Sequence, residues 1–250
     1  MTRELIQMIK LTILGYWAGF PNLGSGSSSY LLQTSFGNVI LDMGSGSAAS
    51  YTAQQHYETL QGLVLSHWHH DHAADLLHYQ HAWKVLMKQR IVQDPLPLYA
   101  PPIPSYLHPL LDPSILDIHL INEQAPFELA GIQFEPFPVH HTILCYGMRM
   151  HLGSESIAYT GDTAYFPQLS QVIKGCQILV CEATNFAGSL HSSGQGHMSP
   201  QEAIHLAHEA EVDQVILTHL PSDLDLDQAR LQLAAQYPNQ WAILAADYGG

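Results

Sequence analysis

Positive charge is what this chain has least of. Its 250 residues carry eight lysines and arginines against 22 aspartates and glutamates, a formal net charge of −14. Polyanion affinity comes largely from basic side chains that displace counterions, so this balance argues against nucleic acid as a partner. A small phosphorylated substrate stays open, because a bound cation can supply positive charge locally. Cysteine is also scarce. Cys145, Cys176 and Cys181 are odd in number and form no C-x-x-C pair, which excludes a disulfide framework and fits a reduced, cytoplasmic protein. The opening MTRELIQMIKLTILGYWAGF lacks a long apolar region with a small-residue cleavage site, and no apolar run is long enough to span a bilayer. With 12% charged and 46% hydrophobic residues, disorder is excluded and a sizeable core is expected.

Histidine, by contrast, is abundant at 17 residues. Four fall within the stretch Leu63–Asp75, LVLSHWHHDHAAD: His67, His69, His70 and His72, with Asp71 among them. In the pattern H-x-H-x-D-H, two histidines two apart at a strand end can aim at one ion. The following Asp and His can turn toward a neighbouring ion as a helix begins. Imidazole and carboxylate suit zinc, with manganese or iron as alternatives. The plain alternative is a solvated histidine-rich loop.

Apolar runs bounded by turn residues predict strands at Lys10–Leu14, Tyr30–Thr34, Asn38–Asp42, Leu63–Ser66, Leu96–Ala100, Asp117–Ile121, Ile132–Pro136, Cys145–His151, Ser156–Thr160, Ile178–Cys181, Val215–Thr218 and Trp241–Ala245. Ser35-Phe36-Gly37 reads as a hairpin turn. Helical spacing covers Ala49–Leu60, Ala73–Val85, Pro200–Ala210 and Leu224–Gln236; the third starts with Ser199 as N-cap, Pro200 and Glu202. Pro95–Pro113 reads as a proline-rich surface crossing. No linker divides residues 1–250, so one domain is expected, with two packed sheets and helices on the outer faces. Leu63–His67 resembles Val215–His219: in each a strand runs into a hydroxyl residue and then a histidine.

One loop cannot complete a catalytic metal site, which needs about three protein ligands and an open position. Further candidates stand at strand ends: His140 and His141, Asp162 in YTGDT, and His219. Each alone reads as a satisfied structural group; together, in order at strand ends, they read as ligands.

The series HWHHDH, HHTILCYGMR, YTGDT and LTHL resembles the metallo-β-lactamase fold, and most of all its ribonuclease Z-like branch, along almost the whole chain. The resemblance implies an αββα four-layer sandwich of two mixed β-sheets with outer helices and a dinuclear site at one edge. His67, His69 and His141 would bind one divalent ion, Asp71, His72 and His219 a second, and Asp162 would bridge them. The segment TILCYGMR selects His141 over His140. Asp162 stands where zinc β-lactamases of this fold usually have cysteine, and His69 where flavodiiron oxidoreductases have an acid, so both activities are disfavoured. A metal-dependent hydrolase remains, with hydroxide held between the ions as nucleophile. Asp71 could also accept its proton, and His197, in GHMSPQEA, would protonate the leaving group. Glu182, in CEAT, resembles the glutamate of the family's HEAT motif and would orient a catalytic histidine; Cys181 replaces that motif's first histidine. His140, His151 and Arg149 could line the cleft, while His70 is expected to point away. His78, His81, His205 and His208 fit solvated or packed positions, and His56, His108, His119 and His191 have no supporting context.

The substrate expected is a small phosphodiester, the partner a second copy in a homodimer, with no membrane. Ribonuclease Z itself, a lactone, thioester or sulfate-ester hydrolase, and a non-catalytic metal-binding protein are the alternatives. The bacterial ribonuclease Z arm that grips tRNA would lie between Met150 and Gly161, where there is room only for a short strand connection.

Overall fold

The computed structural model describes residues 8–186, 196–237 and 241–249; His191 and most of the Gly/Ser-rich segment 188–196 lie outside them. The first half of the chain builds a seven-stranded sheet: β1 Lys10–Trp17, β2 Gly26–Ser27, β3 Ser29–Thr34, β4 Gly37–Leu41, β5 Leu60–Val64, β6 Leu96–Ala100 and β7 Leu116–Leu120, in the order β2-β1-β3-β4-β5-β6-β7. The second half builds another: β8 Phe127–Leu129, β9 Ile132–Pro138, β10 Tyr146–Leu152, β11 Glu155–Tyr159, β12 Ile178–Glu182, β13 Gln214–Thr218 and β14 Ala242–Leu244, ordered β14-β13-β12-β11-β10-β9-β8. Apart from the short β2, which pairs parallel to β1, each sheet begins with antiparallel strands and continues as parallel ones, β4 to β7 in one and β11 to β14 in the other.

The two inner faces share one core, where Leu32, Leu41 and Val64 of the first sheet meet Phe134, Val180 and Ile216 of the second. The outer faces are closed by helices. Over the first sheet lie α1 Ser47–Thr52, the single turn α2 His70–Ala73 and α3 Leu76–Lys88, which buries Leu76, Tyr79 and Trp83 at helical spacing. Over the second lie α4 Leu169–Val172, α5 Pro200–Glu209 and α6 Leu226–Gln236. The αββα sandwich expected from the sequence is the architecture found.

Helix α5 begins as its sequence dictates. The Ser199 side chain accepts from the Glu202 N–H, and the Glu202 carboxylate accepts the Ser199 N–H in return. The helix expected over Ala49–Leu60 is shorter. It stops at Thr52, and Leu60 already belongs to β5. The Tyr51 hydroxyl donates to the His56 carbonyl, and Asn38 reaches Thr59 at 2.8 Å, so side chains tie the segment into a connection rather than a continuing helix. Strands β2 and β8 and helix α4 are too short to show a period in sequence.

The parallel strands deliver the chemistry. His67 follows β5 and His219 follows β13, so the paired sequence elements end at one edge of the sandwich. The sheets are stitched there: the Leu220 N–H donates to the Tyr16 carbonyl and the Ala18 N–H to the Leu220 carbonyl, both at 2.8 Å. Two residues at this edge, Asp42 (φ 58°) and His219 (φ 49°), hold the left-handed backbone region, which redirects their side chains at a cost of about 1–3 kcal/mol each.

Candidate metal centre

Seven side chains predicted as ligands converge at this edge. His67, His69, His141 and Asp162 bring one donor atom each to within 4.8 Å of the others, Asp71, His72 and His219 do the same beside them, and Asp162, His197 and His219 form a third such group. Both His67 Nε2 and His141 Nε2 stand 3.1 Å from His69 Nδ1. Asp162 Oδ2 lies between the groups, 3.3 Å from His72 Nε2 and His219 Nε2, 3.6 Å from His67 Nε2 and 3.8 Å from His141 Nε2.

The far side of four rings fixes which nitrogen carries the proton. His67 Nδ1 is 3.0 Å from Ser66 Oγ, whose own hydrogen goes to Asp42 Oδ2. His72 Nδ1–H donates to Asp42 Oδ2 at 2.8 Å, His141 Nδ1–H to the Gly196 carbonyl at 3.0 Å, and His219 Nδ1–H to Thr184 Oγ1 at 2.7 Å. These bonds leave each Nε2 lone pair facing the cluster, the arrangement metal-ligating histidines adopt. The donor set fits cations. His72 Nε2 and Asp162 Oδ1 are buried without a hydrogen-bond partner. Three ring nitrogens aimed at one point cannot all satisfy one another, whereas a cation among them would satisfy all three.

The electrostatics of three rings agree, and His72 differs. Burial, then neighbouring imidazoles, lower the His67 and His69 pKa values, and burial lowers that of His141, so these three rings favour the neutral ligating form. Burial opposes ionisation of Asp71 and Asp162, but His72 and His219 hold both well below the usual carboxylate range. His72 is pulled down by burial and pushed up further by Asp162, Asp42 and Asp71. One Asp71 oxygen also accepts the Gly19 N–H at 2.7 Å, which ties the β1 end to α2.

His197 and Glu182 form a pair next to the cluster. His197 Nδ1 is 2.9 Å from Glu182 Oε1, and its ring stacks on His219 at 5.4 Å between centroids. Glu182 is fully buried and accepts the Thr163, Thr184 and Met198 N–H groups, so one carboxylate joins three loops. Burial pulls His197 down, but the hydrogen bond and charge of Glu182 outweigh it and push the ring up to about 9. Cys181 is buried with the outer core of the second sheet and takes no part in this contact.

The cluster opens into a cleft of about 520 Å³, lined by His69, Asp71, Asp162, His197 and His219 and by Ala18, Gly19, Phe20, Pro221 and Ser222. His70 joins none of the donor groups, as expected for a residue that points away from the ions, and from the start of α2 it borders the cleft. His140, His151 and Arg149 are not among the lining residues. His140 stacks on Phe166, His151 faces Glu135, and the Arg149 guanidinium donates to the Val172 carbonyl. Asp42, Ser66 and Thr184 were not picked out from sequence. The one available signal was a charged Asp42 closing the buried run Val39-Ile40-Leu41.

Residues 33–220 match the family model described as the beta-lactamase superfamily domain. The chain belongs to the β-lactamase superfamily. The probable metallo-hydrolase YhfI of Bacillus subtilis (strain 168) is 29% identical to it over 226 residues, 85% of this chain and 87% of that protein. The crystal structure of YhfI, a metallo-β-lactamase fold protein, superposes with a TM-score of 0.85 at 26% identity, covering 94% of this chain and 95% of that one. Ribonuclease Z of Mycobacterium sp. (strain KMS) is 25% identical over 273 residues, 93% of this chain and 92% of its own. A diphosphatase from the PhnP family shares the fold, with a TM-score of 0.77 at 20% identity over 95% of this chain and 94% of that chain. Among superfamily members of the ribonuclease Z type, the tRNA arm is expected between β10 and β11; here Gly153 and Ser154 alone join those strands.

Proposed function

We propose that this protein is a dinuclear metal-dependent hydrolase that cleaves small phosphodiesters in the cytoplasm. One observation carries the reading: His197, backed by the buried Glu182, borders the same cleft as the two ligand groups. His67, His69 and His141 would hold one divalent ion and Asp71, His72 and His219 the other, with Asp162 shared; zinc suits these donors, and manganese or iron would also be accepted. Bound there, two such ions acidify water and neutralise charge developing on phosphoryl oxygens.

The chain's own groups supply the rest. Asp71 lines the cleft and would be the carboxylate there to take the proton of the attacking water. His197 is protonated near neutrality and donates to the leaving oxygen, while Glu182 holds the ring and its charge in place. No Lys or Arg lines the cleft among the described residues, so the metals and the His197 imidazolium would carry the anion's charge. That favours a small, singly charged diester. The two-residue β10–β11 turn and the chain's acidity weigh against precursor tRNA. The sequence likeness to YhfI, named a probable metallo-hydrolase, supports the hydrolase class.

Metal analysis of the purified protein coupled to a substrate panel tests the proposal. Two equivalents of metal and turnover of an aryl phosphodiester are expected. Preference for a lactone, a thioester or precursor tRNA in the same panel would overturn it.

A further inference from the structure

A second, smaller cavity opens beside the metal cleft. It measures about 200 Å³ and is walled by Trp68, Leu77, Tyr106, Leu107 and Leu110, with His70 lining it as well. His70 therefore borders both cavities, which places them side by side at the start of α2. We propose that this apolar cavity is the specificity pocket of the site, and that it takes a flat aromatic substituent of a singly charged phosphodiester.

Chemistry and size select that occupant. Apart from His70 and the Tyr106 hydroxyl, the side chains named are apolar or, in Trp68, already satisfied. Trp68 donates its Nε1–H to the Pro101 carbonyl at 3.0 Å, which consumes its polar edge and fixes the ring. An apolar cavity of about 150 Å³ holds benzene, so this one accepts one aromatic ring or a fused pair. The exposed rim is apolar too: Tyr106 is 69% and Leu110 49% exposed, an arrangement that leaves large hydrophobic surface for a ligand to cover. Among the described residues neither cavity is lined by Lys or Arg. A substrate carrying further phosphates into this pocket would find no lysine or arginine to meet them, whereas an aromatic diester monoanion would place its one charge at the metals and its ring in the pocket.

The pocket also has a side. Its walls come from residues 68–111, all belonging to the first sheet's connections, whereas His197 comes from the loop ahead of α5 on the second. With His197 serving the leaving oxygen, the pocket receives the substituent that stays on phosphorus. The rim lies between Pro101 and Pro113, a segment whose prolines limit its conformations and so hold the pocket open before substrate arrives.

This inference rests on the phosphodiesterase reading, and the test separates the two. Methyl p-nitrophenyl phosphate and phenyl p-nitrophenyl phosphate share one charge and one leaving group and differ only in the retained group. The metal-loaded wild-type protein should prefer the phenyl ester in kcat/KM by about 10- to 100-fold, the value of burying one aromatic ring. Leu110→Glu and Tyr106→Ala, both at exposed positions, should each lower that ratio toward one with metal content unchanged. Any repulsion by the new glutamate acts on both esters and cancels in the ratio. Equal turnover of the two esters by the wild type, or a preference that survives in both variants, would overturn the pocket and leave the phosphodiesterase reading standing. Turnover of neither ester would overturn both.

Discussion

Asp42 Oδ2 lies 2.8 Å from His72 Nδ1, and the same carboxylate receives the Ser66 N–H, the Ser66 hydroxyl and the Tyr159 hydroxyl. One buried residue that faces no ion thus sets the ring of His72 directly and that of His67 through Ser66. Groups that orient ligating histidines typically contribute about 10- to 100-fold to metal affinity. Asp42→Asn should weaken metal retention by that factor, read by competition with a chromophoric chelator. An unchanged dissociation constant would remove Asp42 from the account.

The His197–Glu182 pair predicts a pH dependence with a definite sign. A group raised to about 9 stays protonated below that value and loses its proton as pH rises through it. Turnover that needs the His197 proton should therefore persist through neutrality and fall near pH 9. Glu182→Gln removes the raising cause and leaves the burial that lowers the ring, so the alkaline limb should move down toward or below the ordinary histidine range near 6.5. His197→Ala should lower kcat about 10²- to 10⁴-fold with metal content unchanged. The loss should be smaller with a p-nitrophenolate leaving group, which needs no proton, than with an alkoxide. Equal losses for both would exclude His197 as the proton donor.

Gly44 is a packing requirement of the same edge. A Cβ there would overlap the Asp71 carbonyl oxygen and come within 2.6 Å of the Ser27 carbonyl carbon, both backbone atoms that cannot step aside. Gly44→Ala should cost about 1–3 kcal/mol of stability by overpacking and displace α2, and with it Asp71 and His72. Thermal denaturation together with metal analysis checks this. A variant with wild-type Tm and full loading would show that the backbone yields more easily than this geometry implies.

The parts of the site legible in the sequence were those with dense local signal. H-x-H-x-D-H is compact, and Leu63–His67 and Val215–His219 announce themselves as strands ending in histidine. The sandwich follows from two series of strands with helices after them. The supporting residues left no such trace. Asp42 sits 24 residues before Ser66 and 117 before Tyr159, and only folding brings the three together. Thr184 caps the back of His219 from 35 residues away. His70, set between ligands in sequence, joins none of the donor groups, and it borders the cleft because helix α2 starts at that residue and replaces a two-residue period with a 3.6-residue one.

The two carboxylates facing the cluster should fail differently when removed. Asp71 belongs to one donor group with His72 and His219, whereas Asp162 Oδ2 lies within 4 Å of imidazole nitrogens in both groups. Asp71→Ala should cost one equivalent of metal and nearly all turnover, leaving the His67–His69–His141 group occupied. Asp162→Ala removes the oxygen common to both groups, leaving His67 and His141 without a facing carboxylate and the Nε2 atoms of His72 and His219 with Asp71 alone, so retention of both ions should weaken together. Metal stoichiometry by mass spectrometry at fixed chelator concentration distinguishes the outcomes. An Asp71→Ala protein that retains two ions would sink the division of ligands into these groups. An Asp162→Ala protein that loses one ion and holds the other at wild-type affinity would show that Asp162 serves a single ion and bridges nothing.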